Sequence, residues 1–299
     1  NPPRLAADTE KDSRPPSWLR YFFIRRFEDD RKKPHPVVKK EELMKPAVPY
    51  CSLVVAMLGV AAMVAAPAVA AEMPNPPKIS TFAPADDLVG QLQAYVEEVE
   101  ESVETEQEYG DSKEKLLKDA DTVLLIGLAL GLHDQPNPYQ RAAPGIVEAA
   151  KEVSAAENFD AAKAAVGALK AALTSNADAS KLSWQDAQAA SLKALMEQVP
   201  LINTKMKRYL RGSRFKTKAD ETAGHAAVLA IIAQGSMPLA DKTDKPAEAE
   251  KWFAYCEQMR DAANKLRSTI RAQDEDAADQ AVQDLTQSCD DCHAVFHPE

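Results

Sequence analysis

Glycine is scarce in this chain, with ten among 299 residues. Hairpins and tight turns draw heavily on glycine. No stretch downstream of residue 80 alternates β-branched or aromatic residues with polar ones. Strands are therefore not expected. Ala, Glu, Lys, Leu and Gln abound instead, and these favour helix. An all-α fold is expected. Also missing are a glycine-rich phosphate loop, a nucleophile–base pair and a recognisable pair of acid–base carboxylates, which argues against an enzyme. Cysteine is rare too: only Cys51, Cys256, Cys289 and Cys292.

Residues 51–71, CSLVVAMLGVAAMVAAPAVAA, form an apolar run without a charge. Met44 and Lys45 precede the run and small residues close it, so 44–71 has the layout of a secretory signal peptide. Cleavage is expected near Ala70 or Ala71, and export implies a periplasmic location. The run is also long enough for an uncleaved membrane anchor, although Pro67 and the alanine-rich end favour cleavage. Residues 1–43 show no lasting periodicity. Lys40-Glu41-Glu42 can be encoded as a purine-rich ribosome-binding sequence just before the codon for Met44. Translation is therefore expected to begin at Met44, making 1–43 an upstream mistranslation. The alternative is a disordered basic cytoplasmic tail. Arg25-Arg26 lies too far from the apolar run for a twin-arginine signal.

Without residues 1–71 the chain keeps 36−12=24 basic and 46−8=38 acidic residues, a net charge of −14. That balance argues against nucleic acid and towards a basic or neutral partner surface. Three cysteines remain, and an odd number in an exported protein does not fit a disulfide framework.

Residues 72–84 form a proline-rich linker, expected to be unpacked. Helical periodicity starts at Asp86. Breaks fall near Tyr109-Gly110, at 133–138, at Asn158, at 174–180, near Arg211-Gly212, at 237–246 and at Asp274. Eight helices are expected, four on each side of residue 180, the second set opening with a capping box at Ser183–Asp186. The two sets resemble each other. LQAYVEEV at 92–99 matches LKALMEQV at 192–199, VLLI at 123–126 matches VLAI at 228–231, and FDAAKAAVGAL at 159–169 matches EDAADQAVQDL at 275–285. An internal duplication into two tandem four-helix bundles, 85–180 and 181–299, is expected.

The chemistry lies at the C-terminal end, in CDDCH, residues 289–293. Cys289, Cys292 and His293 share one helical face, behind an apolar stripe of Ala278, Ala281, Val282 and Leu285. Two thiols three apart with a following histidine suit covalent haem attachment. A zinc site using Cys289, Cys292, His293 and His297 would crowd its ligands into one short segment. A thiol–disulfide site expects a helix N-terminus after a strand. In the first set, Cys289 falls opposite Leu173, Cys292 and His293 opposite Asn176 and Ala177, and Met196 opposite Val96. That half is expected to be haem-free. Cys256, at helical spacing with Trp252, Met259 and Ala263, is expected to be a buried inert thiol.

With CDDCHAVF on its last helix, the segment 184–297 resembles the class II c-type cytochromes, cytochrome c′ and its cytochrome c-556-like relatives. The resemblance implies one covalent haem c on a four-helix bundle, with His293 as proximal iron ligand. It also places a distal methionine on the first helix, which Met196 matches, 16 residues before Gly212. Core filler is the other reading of Met196, and Met206 and His225 are alternative ligands. Pro200 is expected to disturb the helix near Met196. Phe296 matches the aromatic that commonly follows the motif, and His297 only loosely matches the basic residue. The resemblance implies an electron carrier with a redox partner protein, or a five-coordinate gas-binding (NO/CO) protein. A third possibility makes the haem-free half a docking module. A homodimer is one arrangement, and the membrane is a partner only if the signal stays uncleaved.

Overall fold

The computed structural model describes residues 71–297; the expected tail at 1–43 and all but the last residue of the signal at 44–71 lie outside them. All regular structure among the described residues is helical. The first set is α1 (Ala85–Glu101), α2 (Glu106–Gly131), α3 (Ala143–Ser154) and α4 (Phe159–Ala172). The second is α5 (Leu192–Lys207), the short α6 (Ser213–Thr217), α7 (Ala219–Ser236), α8 (Ala249–Arg271) and α9 (Glu275–Phe296).

Side-chain caps set the starts of α2, α4, α5 and α9. The Asn158 side chain accepts from Ala161 N–H to start α4, and Asp274 accepts from Ala277 N–H to start α9, each satisfying an otherwise orphaned donor. Gly212, at φ +63°, turns the chain after α5, a conformation that glycine alone adopts freely. Two expectations fail here. No break occurs at Tyr109-Gly110, because a reciprocal capping box between Thr105 and Glu108 starts α2 earlier and the helix runs through both residues. The Ser183–Asp186 capping box exists, yet it opens a 3-10 turn (Trp184–Ala189), and α5 waits for Ser191 as its cap. Buried Asp121 on α2 takes the Ser191 N–H at 2.9 Å, the donor that a continuous helix would have used.

The linker also corrects the sequence reading. Its last residues form a 3-10 turn (Ile79–Thr81), and Ile79, Phe82 and Ala83 are buried in the core. Buried Arg260 stacks over the Phe82 ring at 5.6 Å, which gives that guanidinium an apolar platform.

The matched sequence blocks fall on the first, second and fourth long helices of each set: α1 and α5, α2 and α7, α4 and α9. The sets are not separate in space. The described residues, 71–297, fall in one compact unit, with α1 packed on α7 and α2 on both α5 and α7. One hydrophobic cluster runs through both sets, from Leu88 and Leu124 to Val228 and Leu285. Close approach explains the continuity: a Cβ at Gly235 would sit 2.7 Å from Leu125 Cδ2, and one at Gly224 2.6 Å from Gln91 Nε2. Nearly all of α7 is buried. It meets the length and hydropathy of a membrane span, but 94% of that window lies inside the protein, so it is a core helix.

Polar groups stitch the sets together. Gln198 on α5 donates to Tyr95 OH and to Asp119 Oδ1, both at 3.1 Å. Glu98 on α1 bridges Lys115 and Lys205. His225 Nδ1 lies 3.0 Å from Gln91 Oε1. The amide oxygen accepts, so the ring proton sits on Nδ1 and buried Nε2 is left without a partner. Burial pushes the His225 pKa down to about 4, with Lys205 adding repulsion and Glu221 and Glu98 opposing.

A pH dependence follows. Between about pH 6.5 and 4 the unfolded chain holds a proton on this histidine that the folded chain does not. Stability should therefore fall as pH drops through that window, by at most ~3 kcal/mol. Denaturant titrations at pH 7 and pH 4.5 should show His225→Asn losing distinctly less stability than wild type; parallel losses would assign the slope to other groups.

Candidate functional site

Asp274 caps α9, and its buried stripe of Ala278, Ala281, Leu285 and Ser288 lays it against the second set. Val282 packs at the edge of that stripe, half-buried. The far end of α9 is anchored separately. Phe296 is buried in a small aromatic cluster, edge-on to Trp252 at 5.3 Å and to Tyr255 at 6.2 Å. Edge-on aromatic pairs add to the burial energy, so Phe296 fixes the rotation of the last turns. Cys289, Cys292 and His293 then line one cavity of about 230 Å³.

All four long helices of the second set build this cavity. Met196, Val199, Pro200 and Asn203 come from α5, and Ala233 and Ser236 from α7. Trp252, Tyr255, Cys256 and Met259 come from α8. Of the three methionine and histidine candidates for a distal position, Met196 alone lines it. Met206 is buried in the main core, beside a gap bounded by Leu266 and Leu285, ten residues or ~15 Å along α5 from Met196. His225 faces Gln91 on α1, and lies ~12–16 Å along α7 from Ala233 and Ser236. Helix α5 continues through Pro200, which has no N–H to give the Met196 carbonyl.

The two thiols do not resemble a redox dithiol. Burial raises the pKa of Cys289, and it raises Cys292 to about 11. Both sit near the C-terminal end of α9, far from the positive N-terminal end that stabilises a thiolate. Among the described residues all three cysteines are free thiols, and no three His, Cys, Asp or Glu side chains gather to hold a metal ion. His297 instead turns towards Asp244, 3.8 Å away. Cys256 is buried as expected, and burial drives its thiol pKa well up. Its place on the cavity wall was not foreseen.

Ser236 was also missed. Its hydroxyl is buried and has no hydrogen-bond partner, while its carbonyl accepts from Trp252 Nε1 at 2.8 Å. A buried hydroxyl without a partner costs about 1–3 kcal/mol. Ser236→Ala should accordingly raise the stability of the haem-free chain by about 1 kcal/mol in denaturant titrations. A loss of stability would mean that the hydroxyl is already satisfied. No sequence signal marks this serine; only its position on the cavity wall does.

The cavity wall is mostly apolar, with the unpaired Ser236 hydroxyl as a polar group on it. The cavity is smaller than the ~300–1,000 Å³ typical of ligand sites. A macrocycle would have to widen the α5–α9 seam or leave one edge in solvent. The first set offers no counterpart. Helix α4 ends at Ala172, before the positions opposite the motif, and Ala177 N–H is tied to Arg141 O at 2.8 Å. Val96, opposite Met196, is buried in the core. Comparison of the chain with protein-family models, with curated proteins and with solved structures finds no match.

Proposed function

We propose that this chain is a periplasmic monohaem c-type cytochrome that carries single electrons. One haem c would be held through thioethers to Cys289 and Cys292, with His293 as proximal ligand and Met196 as distal ligand. The observation that carries the reading is the single cavity lined by both thiols and the imidazole on α9, and by the Met196 thioether on α5. Haem iron supplies one-electron chemistry at a potential set by its axial ligands and its burial. This chain's residues would hold and orient the group, and Trp252, Val199 and Ala233 would exclude water from one side of it. No catalytic residue is assigned. The electron would pass to a redox partner protein.

The same reading extends to the fold. We propose that the second set is a bundle of the cytochrome c′ type and that the first is a degenerate copy from an internal duplication. Reciprocal contacts support this. Gln91 on α1 meets His225 on α7, while Ser191 at the start of α5 meets Asp121 on α2. The block offsets pair Gln91 with Ser191 and bring His225 within one residue of Asp121. Exchange of equivalent positions is the mark of a two-fold interface. In this reading the haem-free half occupies, within one chain, the face that a homodimer would use.

A second reading is gas binding with the sixth position open, which the apolar cavity wall favours. The ferric absorption spectrum of protein matured with the c-type assembly machinery separates the two. A six-coordinate low-spin spectrum supports the electron carrier, and a five-coordinate high-spin spectrum supports gas binding.

A further inference from the structure

Positive charge is concentrated in one short stretch of this acidic chain. Residues 207–216 contain Lys207, Arg208, Arg211, Arg214 and Lys216 and no acidic residue. All five are exposed. None forms an ion pair with another described residue, whereas the flanking Lys205 and Lys218 are paired with Glu98 and Glu221. The stretch is the end of α5, the Gly212 turn and α6, which keeps the five exposed cations within ten consecutive residues. Gly212 N–H donates to Glu275 Oε1 at 3.2 Å and ties the turn to the start of α9.

We propose that this patch is an electrostatic docking surface for an anionic lipid bilayer. Two neighbouring carboxylates are already paired with cations, Asp220 with Arg271 and Glu221 with Lys218, while Glu275 keeps its charge beside the turn, accepting from Gly212 N–H. Exposed Asp274 and Asp276 flank Glu275, which leaves the five cations in excess over these three carboxylates, and charges farther off than the Debye length of about 8–10 Å at physiological salt are screened. A specific protein partner would need a central apolar or aromatic anchor. Here Leu210 and Phe215 are buried, half-buried Tyr209 has the Lys218 ammonium over its ring, and the exposed large apolar residues of the described chain are Leu117 and Leu201, outside the stretch. Lipid headgroups need charge alone, and each cation strengthens adsorption about fivefold.

The placement has a consequence for orientation. The patch sits at the start of α9 and His293 near its end, eighteen residues or ~27 Å apart along the helix. Docking through the patch turns the CDDCH end away from the bilayer, towards soluble partners. The docking does not depend on the haem reading.

Co-sedimentation of the exported protein, freed of its apolar leader, with two kinds of vesicle tests the proposal: phosphatidylcholine alone, and equal parts phosphatidylcholine and phosphatidylglycerol. Wild type should bind the anionic vesicles at least tenfold more strongly, and about 0.5 M salt should release it. Arg208→Glu, Arg211→Glu and Arg214→Glu together should weaken that binding by about a hundredfold or more, with the helical circular dichroism unchanged. Should that variant misfold, Lys207→Gln with Lys216→Gln should still weaken binding about twenty-fivefold. Equal binding to both vesicles, salt-resistant binding, no binding, or variants that bind like wild type would overturn the proposal. So would salt-sensitive binding to an acidic protein without binding to vesicles, which would make the partner a protein.

Discussion

Replacing Cys289 and Cys292 together by serine should give a chain that folds and retains no covalent haem. Both thiols are half-buried at the edge of the packing, Cys289 against the main core and Cys292 against the aromatic cluster. Serine has nearly the same volume, so the cost to the fold should be about 1 kcal/mol. The chemical effect is far larger, since a thioether cannot form on a hydroxyl. Wild type matured with the c-type assembly machinery should gain the mass of one haem and keep it on a denaturing gel. Each single variant should keep haem through one bond, with lower yield. Haem that survives denaturation in the double variant would sink the attachment assignment. Two haems per chain would sink the haem-free first half.

Met196→Ala should change the iron more than the fold. Met196 is half-buried on α5, so its truncation should cost about 2 kcal/mol, the low end for a core methionine. If its sulfur is the distal ligand, the ferric protein should show the weak near-infrared sulfur-to-iron band, and the substitution should abolish it. The spectrum should then move to high spin, and carbon monoxide should bind the ferrous form faster. The potential should drop, because a thioether favours the reduced iron. Met206→Ala, ~15 Å further along α5, should leave the spectrum unchanged and lower stability only. A wild type that is already high spin, with a spectrum insensitive to Met196→Ala, would favour the gas-binding reading. His225→Ala should not touch the spectrum either; if it does, the fold around α7 differs from the one described.

Composition and local chemistry carried much of this in advance. Helices without strands follow from side-chain propensity, which acts residue by residue. The caps at Asn158 and Asp274 and the turn at Gly212 follow from hydrogen bonding and φ preferences confined to a few neighbours. The CDDCH motif is legible for the same reason, since its three side chains lie within five consecutive residues. Whatever depends on distant partners was not legible. Asp121 reset the start of α5 by a hydrogen bond made across seventy residues, whereas the Thr105–Glu108 box that starts α2 is a local signal that the sequence reading missed. The two halves fused into one core because glycines on α7 admit Leu125 and Gln91 to its backbone. Met196, Met206 and His225 differ little as residues on a page. Packing puts the first on the cavity wall, the second in the core and the third against Gln91. A helix turns 100° per residue, and only its neighbours decide which of its faces becomes a site.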